Sequence, residues 1–289
     1  NEDSYWSPLP RRYRTMRPSM SGTITDLQGI RQGRNLKIKP YGIASTTQVA
    51  SNRLAHDNRV NGGVDAKYGL TPSQTLDLTY RTDFSQVEAD QQQVNLTRFN
   101  ILFPEKREFF LENSGVFGVA GGGSSSGAGS ANVVPFFSRR IGLSAAGMPI
   151  PIVGGARLSG TTGSYDVGFL AMKTEDLGLV PSNNFVVGRL RKNFMAGSSV
   201  GAIVTSRDST RSGDHNELYG VDTLLRFFDR KLDVSAYLLG TDTPGLDGES
   251  QARLLDAAWR DDAFTIVGRY ETVQPDFNPE VGFVRRGDN

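Results

Sequence analysis

Residues 216–241 read NELYGVDTLLRFFDRKLDVSAYLLGT. Tyr219, Val221, Thr223, Leu225 and Phe227 alternate with Gly220, Asp222, Leu224 and Arg226. After a break at Asp229–Arg230, Leu232, Val234, Ala236 and Leu238 alternate with Asp233, Ser235, Tyr237 and Leu239. Successive side chains of a strand point to opposite faces. Period two therefore predicts two strands joined by a tight turn, apolar on one face and largely polar on the other.

The same alternation recurs on both sides. Leu76, Leu78 and Tyr80 alternate with Asp77, Thr79 and Arg81. Tyr165, Val167, Phe169 and Ala171 alternate with Asp166, Gly168, Leu170 and Met172, and Phe264, Ile266, Gly268 and Tyr270 with Thr265, Val267, Arg269 and Glu271. Strands are expected at 17–30, 35–50, 62–70, 74–82, 93–103, 134–141, 152–160, 165–173, 184–193, 198–206, 216–228, 231–241, 250–260 and 263–273, with a further one starting near 281. That makes about 14–15 strands, with only a short turn or helix near Glu105–Asn113. Strands of about ten residues are long for a soluble sheet and suit a tilted membrane crossing.

Loop lengths add a second signal. From residue 152 onward, Thr161–Ser164, Asn193–Gly197, Asp229–Arg230 and Asp261–Asp262 are short. They alternate with the longer Thr174–Asn183, Arg207–His215, Asp242–Glu249 and Gln274–Glu280. Up-and-down outer-membrane barrels sort their loops this way, short at one rim and long at the other. Segment 104–133 breaks the sorting if 134–141 is a strand. If it is not, 104–151 becomes one long loop and the upstream parity inverts. Both arrangements stay open at this level, and a soluble β-sandwich is the rival to the barrel.

Composition excludes several classes. The 289 residues carry 32 Lys+Arg against 31 Asp+Glu, a net charge of +1, which argues against a nucleic-acid partner. With no Cys there are no disulfides, thiolate metal sites or cysteine nucleophiles. Two histidines, His56 and His215, cannot by themselves build a zinc site. No metal and no cofactor is expected. No apolar run is long enough for a transmembrane helix, which leaves membrane strands open. Residues 1–14, polar and Pro-broken, read as a linker into a domain spanning 15–289. Both ends are expected to be cuts in a longer chain.

The most distinctive block is PEKREFFLENSGVF at Pro104–Phe117. It sets Glu105, Lys106, Arg107, Glu108 and Glu112 around Phe109, Phe110 and Leu111. Such a block fits an inward-folded plug or constriction, 104–133, whose charges and those of Arg139 and Arg140 meet a solute. Its plainer reading is structural, with paired charges and rings anchored on the wall. Asp83, Glu88 and Asp90 form a carboxylate cluster. It suits a hard cation or a glycosidase-like acid/base pair, and more simply a solvated loop. Gly123–Gly127 matches the hydrolase G-x-S-x-G pattern, but it lies inside the Gly/Ser-rich stretch 121–130 and lacks a strand-to-helix context. Arg189, Arg191, Arg226 and Arg269 fall on one phase of their strands with Asp166, Asp222 and Asp233. Mixed signs suit neutral or zwitterionic solutes, or a wall braced by ion pairs.

Further runs carry a family resemblance: YWSPLPR at Tyr5–Arg11, NLKIKPY at Asn35–Tyr41 and DFSQVEADQQQVNLTRFNILFPEKREFFLEN at Asp83–Asn113. FFSRRIG at Phe136–Gly142, GGARLSG at Gly154–Gly160 and PEVGFVRR at Pro279–Arg286 follow. Together, over nearly the whole chain, they resemble an uncharacterised bacterial domain family. Its members are identified as outer-membrane barrels, usually behind a module like the family 9 carbohydrate-binding modules. The Gly/Ser-rich stretch 121–130 has no counterpart in that pattern.

The resemblance implies an outer-membrane location and a link to glycans, but no reaction. The expectation is an all-β, antiparallel up-and-down transmembrane β-barrel, incomplete in this chain and located in the bacterial outer membrane. Its partners are membrane lipid and glycans. Its role is passage or surface binding of glycans or other small nutrients, without catalysis by this segment. The alternatives are a barrel-associated carbohydrate-active hydrolase using the clustered carboxylates, and a structural anchor for a surface module.

Overall fold

The computed structural model describes residues 25–26, 35–48, 56–81, 104–119, 132–144, 150–178 and 180–285. Thirteen strands follow in chain order: β1 (Lys37–Gln48), β2 (His56–Thr71), β3 (Gln74–Tyr80), β4 (Val133–Val134), β5 (Ile152–Thr162), β6 (Tyr165–Thr174), β7 (Asn183–Phe194), β8 (Ser198–Ser209), β9 (His215–Phe227), β10 (Leu232–Asp242), β11 (Gln251–Arg260), β12 (Thr265–Val273) and β13 (Phe283–Val284). Eleven of them form one sheet in the order β1-β2-β3-β5-β6-β7-β8-β9-β10-β11-β12, with every neighbouring pair antiparallel. The chain is thus all-β with an up-and-down meander. Among the described residues the outer edges of β1 and β12 carry no partner strand, and the sheet is not closed.

Two expectations are corrected. Among the described residues there are eleven strands in the sheet plus one two-residue pair, β4 with β13. The strand expected at 134–141 ends at Val134 and gives way to a 3-10 turn at Ser138–Arg140. Pro135 is one reason, since it has no N–H for a ladder. The strand expected near 281 is β13, which turns back to pair with β4. The expected strands 17–30 (apart from Thr25 and Asp26, which carry no strand) and 93–103 fall outside the described residues, as do the linker 1–14 and the stretch 121–130.

The loop puzzle resolves as well. β3 hydrogen-bonds directly to β5, Leu76 opposite Leu158. Residues 81–151 are therefore one connection. β3 ends and β5 begins at the end of the sheet where β1 ends and β2 begins and where β6–β7, β8–β9 and β10–β11 are joined, opposite the short turns 72–73, 163–164, 195–197, 228–231 and 261–264. The sorting runs unbroken and upstream parity does not invert.

Each strand presents two unlike faces. On one, Leu78, Tyr165, Phe169, Tyr219, Val221, Leu255 and Ile266 are exposed. On the other, Asp77, Arg157, Asp166, Arg189 and Asp222 are buried. Residues 104–119, 132–144 and 274–285 lie over that second, inner face. The inner face itself is layered. Toward the long loops it is apolar, with Leu170, Met172, Phe185, Val187, Ile203, Leu218, Leu239 and Leu254 buried. Toward the short turns it is charged, with Arg191 on Asp166 at 2.7 Å and Asp233 between Arg226 and Arg260, each at 3.6 Å.

The innermost pair shows how register and sequence cooperate. Arg189 on β7 and Asp222 on β9 are separated by β8, yet their side chains meet, Nη2 to Oδ2 at 3.0 Å. The guanidinium crosses β8 at Gly201, which stands opposite both Arg191 and Asp222. A Cβ there would fall 2.6 Å from Arg189 Nη1. Only glycine leaves the crossing open, and both charges are almost fully buried.

Gly201→Val is expected to separate Arg189 from Asp222 and destabilise the sheet by about 3–5 kcal/mol, the cost of stranding a buried charge. Gly188→Ala, on the outer face with nothing within 4 Å, is expected to be neutral. Urea unfolding in detergent micelles measures both, and equal midpoints for the two variants would contradict the crossing.

Candidate functional site

The inner-face insert is built from runs far apart in sequence. PEKREFF supplies a one-turn helix α1 (Glu108–Leu111), followed by a 3-10 turn at Ser114–Phe117. FFSRRIG supplies the second arm and PEVGFV the third. Arg107 ties the first two together. Its guanidinium grips Glu105 through Nε at 2.9 Å and Nη2 at 2.7 Å. It also donates to the carbonyls of Ile141 at 2.8 Å and Ser138 at 2.7 Å. The Phe110 ring covers it at 4.1 Å. Glu105 further accepts from the Ser138 hydroxyl at 2.6 Å and from the backbone N–H groups of Lys106 and Arg107. Arg139 Nη1 reaches the Pro104 carbonyl at 2.8 Å, and Arg140 Nε reaches the Gly282 carbonyl at 3.2 Å. The β4–β13 pair joins the third arm to the second.

The insert is fastened to the wall at both ends. Phe117 seats against Gly168 of β6, where a Cβ would lie 2.8 Å from the ring. Phe109, Phe110 and Phe117 enter one apolar cluster with Leu170, Met172, Phe185 and Val187. Arg207 of β8 reaches Glu280 and Asp214, each at 2.5 Å, and Asn183 at 2.9 Å. Asn216 of β9, fully buried, donates to the Asn278 carbonyl at 2.8 Å and accepts from the Glu280 N–H at 3.1 Å. On the other side Glu108 meets Lys39 of β1 at 2.5 Å, and Glu112 meets Lys67 of β2. A cavity of about 130 Å³ remains between insert and wall, bordered by Phe110, Phe117, Phe136, Arg157 and Leu170.

The expected residues divide accordingly. Glu105, Arg107 and Arg139 hold the insert together. Arg140, exposed, fastens the third arm, and Lys106 is half-buried. Acidic Glu108 and Glu112 of the first arm face wall lysines. Asp83, Glu88 and Asp90 lie outside the described residues. Sequence reasoning missed Lys39, Lys67, Arg157, Arg207, Asn216 and Glu280. Their signal was available: all but Glu280 occupy the inward phase of their strands. Among the described residues no group of three His, Asp or Glu side chains stands close enough to hold a metal ion.

A family model described as Domain of unknown function (DUF5916) matches residues 34–150. That span takes in β1, β2, β3 and the first two arms of the insert, so the similarity covers one wall segment together with the part it grips. No curated protein and no solved structure matches the chain.

Two insert carboxyls have displaced acidities. Burial pushes Glu105 up, but its bonds to Arg107, Ser138 and the backbone outweigh that and hold it below the usual glutamate range. The hydrogen bond from Lys39 lowers Glu108. A carboxyl with a depressed folded pKa stabilises the fold above its unfolded pKa, and this stability is lost as pH falls through the folded value.

The insert is therefore expected to stay packed at neutral pH and to loosen below about pH 4. Glu105→Gln is expected to loosen it already at pH 7, costing about 3 kcal/mol of local stability. Hydrogen exchange of the amides in 105–117 reads both, and unchanged protection in the variant would contradict the role given to Glu105.

Proposed function

We propose that this chain is part of an outer-membrane β-barrel. In this reading it passes or binds small solutes, glycans among them, through a lumen narrowed by the insert. The single observation that carries the reading is the inside-out distribution of polarity. A water-soluble sheet turns its apolar face to the core and its charges to solvent. Here the charged face is covered, with Arg157, Arg189 and Asp222 each under 5% exposed, while Ile266, Tyr219 and Val221 on the opposite face are each above 50% exposed. That arrangement suits a wall whose outside meets lipid and whose inside meets a polar lumen.

Two further features support it. Every strand of the sheet except β3 has nine residues or more, the length a tilted crossing needs. The loops are sorted by length between the two ends. A closed barrel requires strands joining β12 to β1 beyond the eleven described, because a lipid-exposed open edge would strand backbone groups in hydrocarbon. The bacterial outer-membrane location and the glycan link rest on the resemblance. The hydrolase alternative draws little from the insert, since Glu105 is held ionised by Arg107 and is poorly placed to donate a proton.

On this reading the long-loop half of the lumen is packed by the insert and the short-turn half is lined by paired charges. The insert then sets the conductance. Deleting 105–117 in the protein reconstituted in planar bilayers is expected to raise single-channel conductance. Unchanged conductance with the variant still folded would remove the insert as the constriction.

Adjacent positions on β12 test the wall itself. Ile266 and Val267 are similarly exposed, at 63% and 56%, but Ile266 shares the outer face with Trp259 and Val267 the inner face with Ala258. Ile266→Arg is expected to cost about 2–4 kcal/mol in membrane assembly, and Val267→Arg far less. Assembly into lipid vesicles, followed by heat-modifiable gel mobility, measures this; equal tolerance would sink the barrel reading.

A further inference from the structure

The inner faces of β1 and β2 carry an unusual concentration of lysine. Lys37 stands directly opposite Lys67 in the ladder, and Lys39 opposite Asp65. Like charges placed directly across a strand pair destabilise it unless something between them carries the opposite sign. Asp77 of β3 does part of this, at 3.7 Å from Lys67, but it is also claimed by Arg157, whose Nη2 lies 2.8 Å away. Among the described residues four wall cations, Lys37, Lys39, Lys67 and Arg157, therefore face two wall carboxylates, Asp65 and Asp77, leaving two positive charges in surplus. The insert brings two carboxylates to this spot, Glu108 on Lys39 and Glu112 on Lys67.

Between wall and insert the same groups border a cleft of about 240 Å³, with Lys37, Lys39, Asp65, Lys67 and Asp77 on one side and Glu108 and Glu112 on the other. Glu108 and Glu112 are not buried there, their side chains being 76% and 44% exposed. The Lys39–Glu108 pair is exposed on both sides, and exposed pairs contribute little to stability; Lys67 is 24% exposed, but its partner Glu112 opens to solvent, and the segment is already held by three buried phenylalanines. The two pairs are better matched to an exchangeable role.

We propose that this cleft is a binding site for a small solute carrying two or more carboxylates, and that Glu108 and Glu112 occupy it as internal stand-ins until the solute replaces them. An ammonium group is a compact point charge that accepts any oxyanion in place of another. The solute's acid groups take the places of the two glutamates on Lys39 and Lys67, with Lys37 as the third cation. The site names a solute class for the lumen and rests on the passage reading only for the route by which the solute arrives. Binding itself requires no membrane.

Calorimetric titration of the full chain in detergent micelles tests the site, with citrate as the anionic probe and glucose as the uncharged one. Glu108→Gln/Glu112→Gln is expected to bind citrate about tenfold more tightly than the unaltered chain. Lys39→Gln/Lys67→Gln is expected to lose citrate binding, and glucose to be unaffected by either change. All four positions are at the cleft's surface or rim, and circular dichroism confirms that each variant keeps its sheet. Citrate affinity unchanged by the glutamate substitutions, or retained without the lysines, overturns the proposal. So does an equal gain for glucose, which would show that space and not charge was freed. The conductance and vesicle assays read the passage proposal separately.

Discussion

A charge removed from water must find its counter-charge, and the inner face of this sheet is organised around that requirement. Isolated burial of a guanidinium or carboxylate costs several kcal/mol. The strands answer by placing acids and bases on one phase and in compatible register. Arg157 meets Asp77 across β3 and β5, Arg191 meets Asp166 across β6 and β7, and Arg189 passes over Gly201 to reach Asp222. Each pair links different strands, so pairing also fixes register. A one-residue slip would turn the charges outward and bring the apolar set inward.

The insert solves a different problem. An inner face that is apolar over its long-loop half cannot be left wet without losing burial of many large side chains. Phe109, Phe110, Phe117, Val133, Ile141, Phe277 and Val281 cover it. A covering segment of irregular backbone must then satisfy its own polar groups, and Arg107 and Glu105 do this together by bonding to carbonyls, a hydroxyl and N–H groups that no ladder would satisfy. Arg207 and Asn216 perform the same service for residues 278–280 from the wall side. The result is two layers, a packed one near the long loops and a charged one near the short turns. Their difference supports the proposed division of labour between constriction and lining.

Within that arrangement the lysine cleft stands apart. Arg107–Glu105 and Arg189–Asp222 are buried and held by two or more charge-assisted hydrogen bonds each, which suits permanent structure. Lys39–Glu108 is solvated and Lys67–Glu112 half-buried, and both are made through flexible ammonium groups. The same chemistry, a base facing an acid, serves rigidity in one place and exchange in the other, and burial separates the two.

The period-two pattern determined by itself that this chain forms long strands, and which residues share a face. Tyr219, Val221 and Ile266 on one side, and Asp166, Arg189 and Asp222 on the other, were legible because alternation is a local property of an extended backbone. Loop lengths likewise carried the sorting of the two ends. The run FFSRRIG misled, because Val133 and Val134 begin as a strand and only the contacts with Gly282, Val281 and Pro104 draw the following residues into a turn. The fate of PEKREFF was equally out of reach. Its charges were visible, but their partners lie 31–34 residues away at Ser138 and Ile141, or on wall strands whose lysines look unremarkable in sequence. Pairing across such distances depends on where the sheet curves and which strand lies beside which. Those are decided by the tertiary structure, since the direct β3–β5 contact alone turns 81–151 into one connection and places its arms over the inner face.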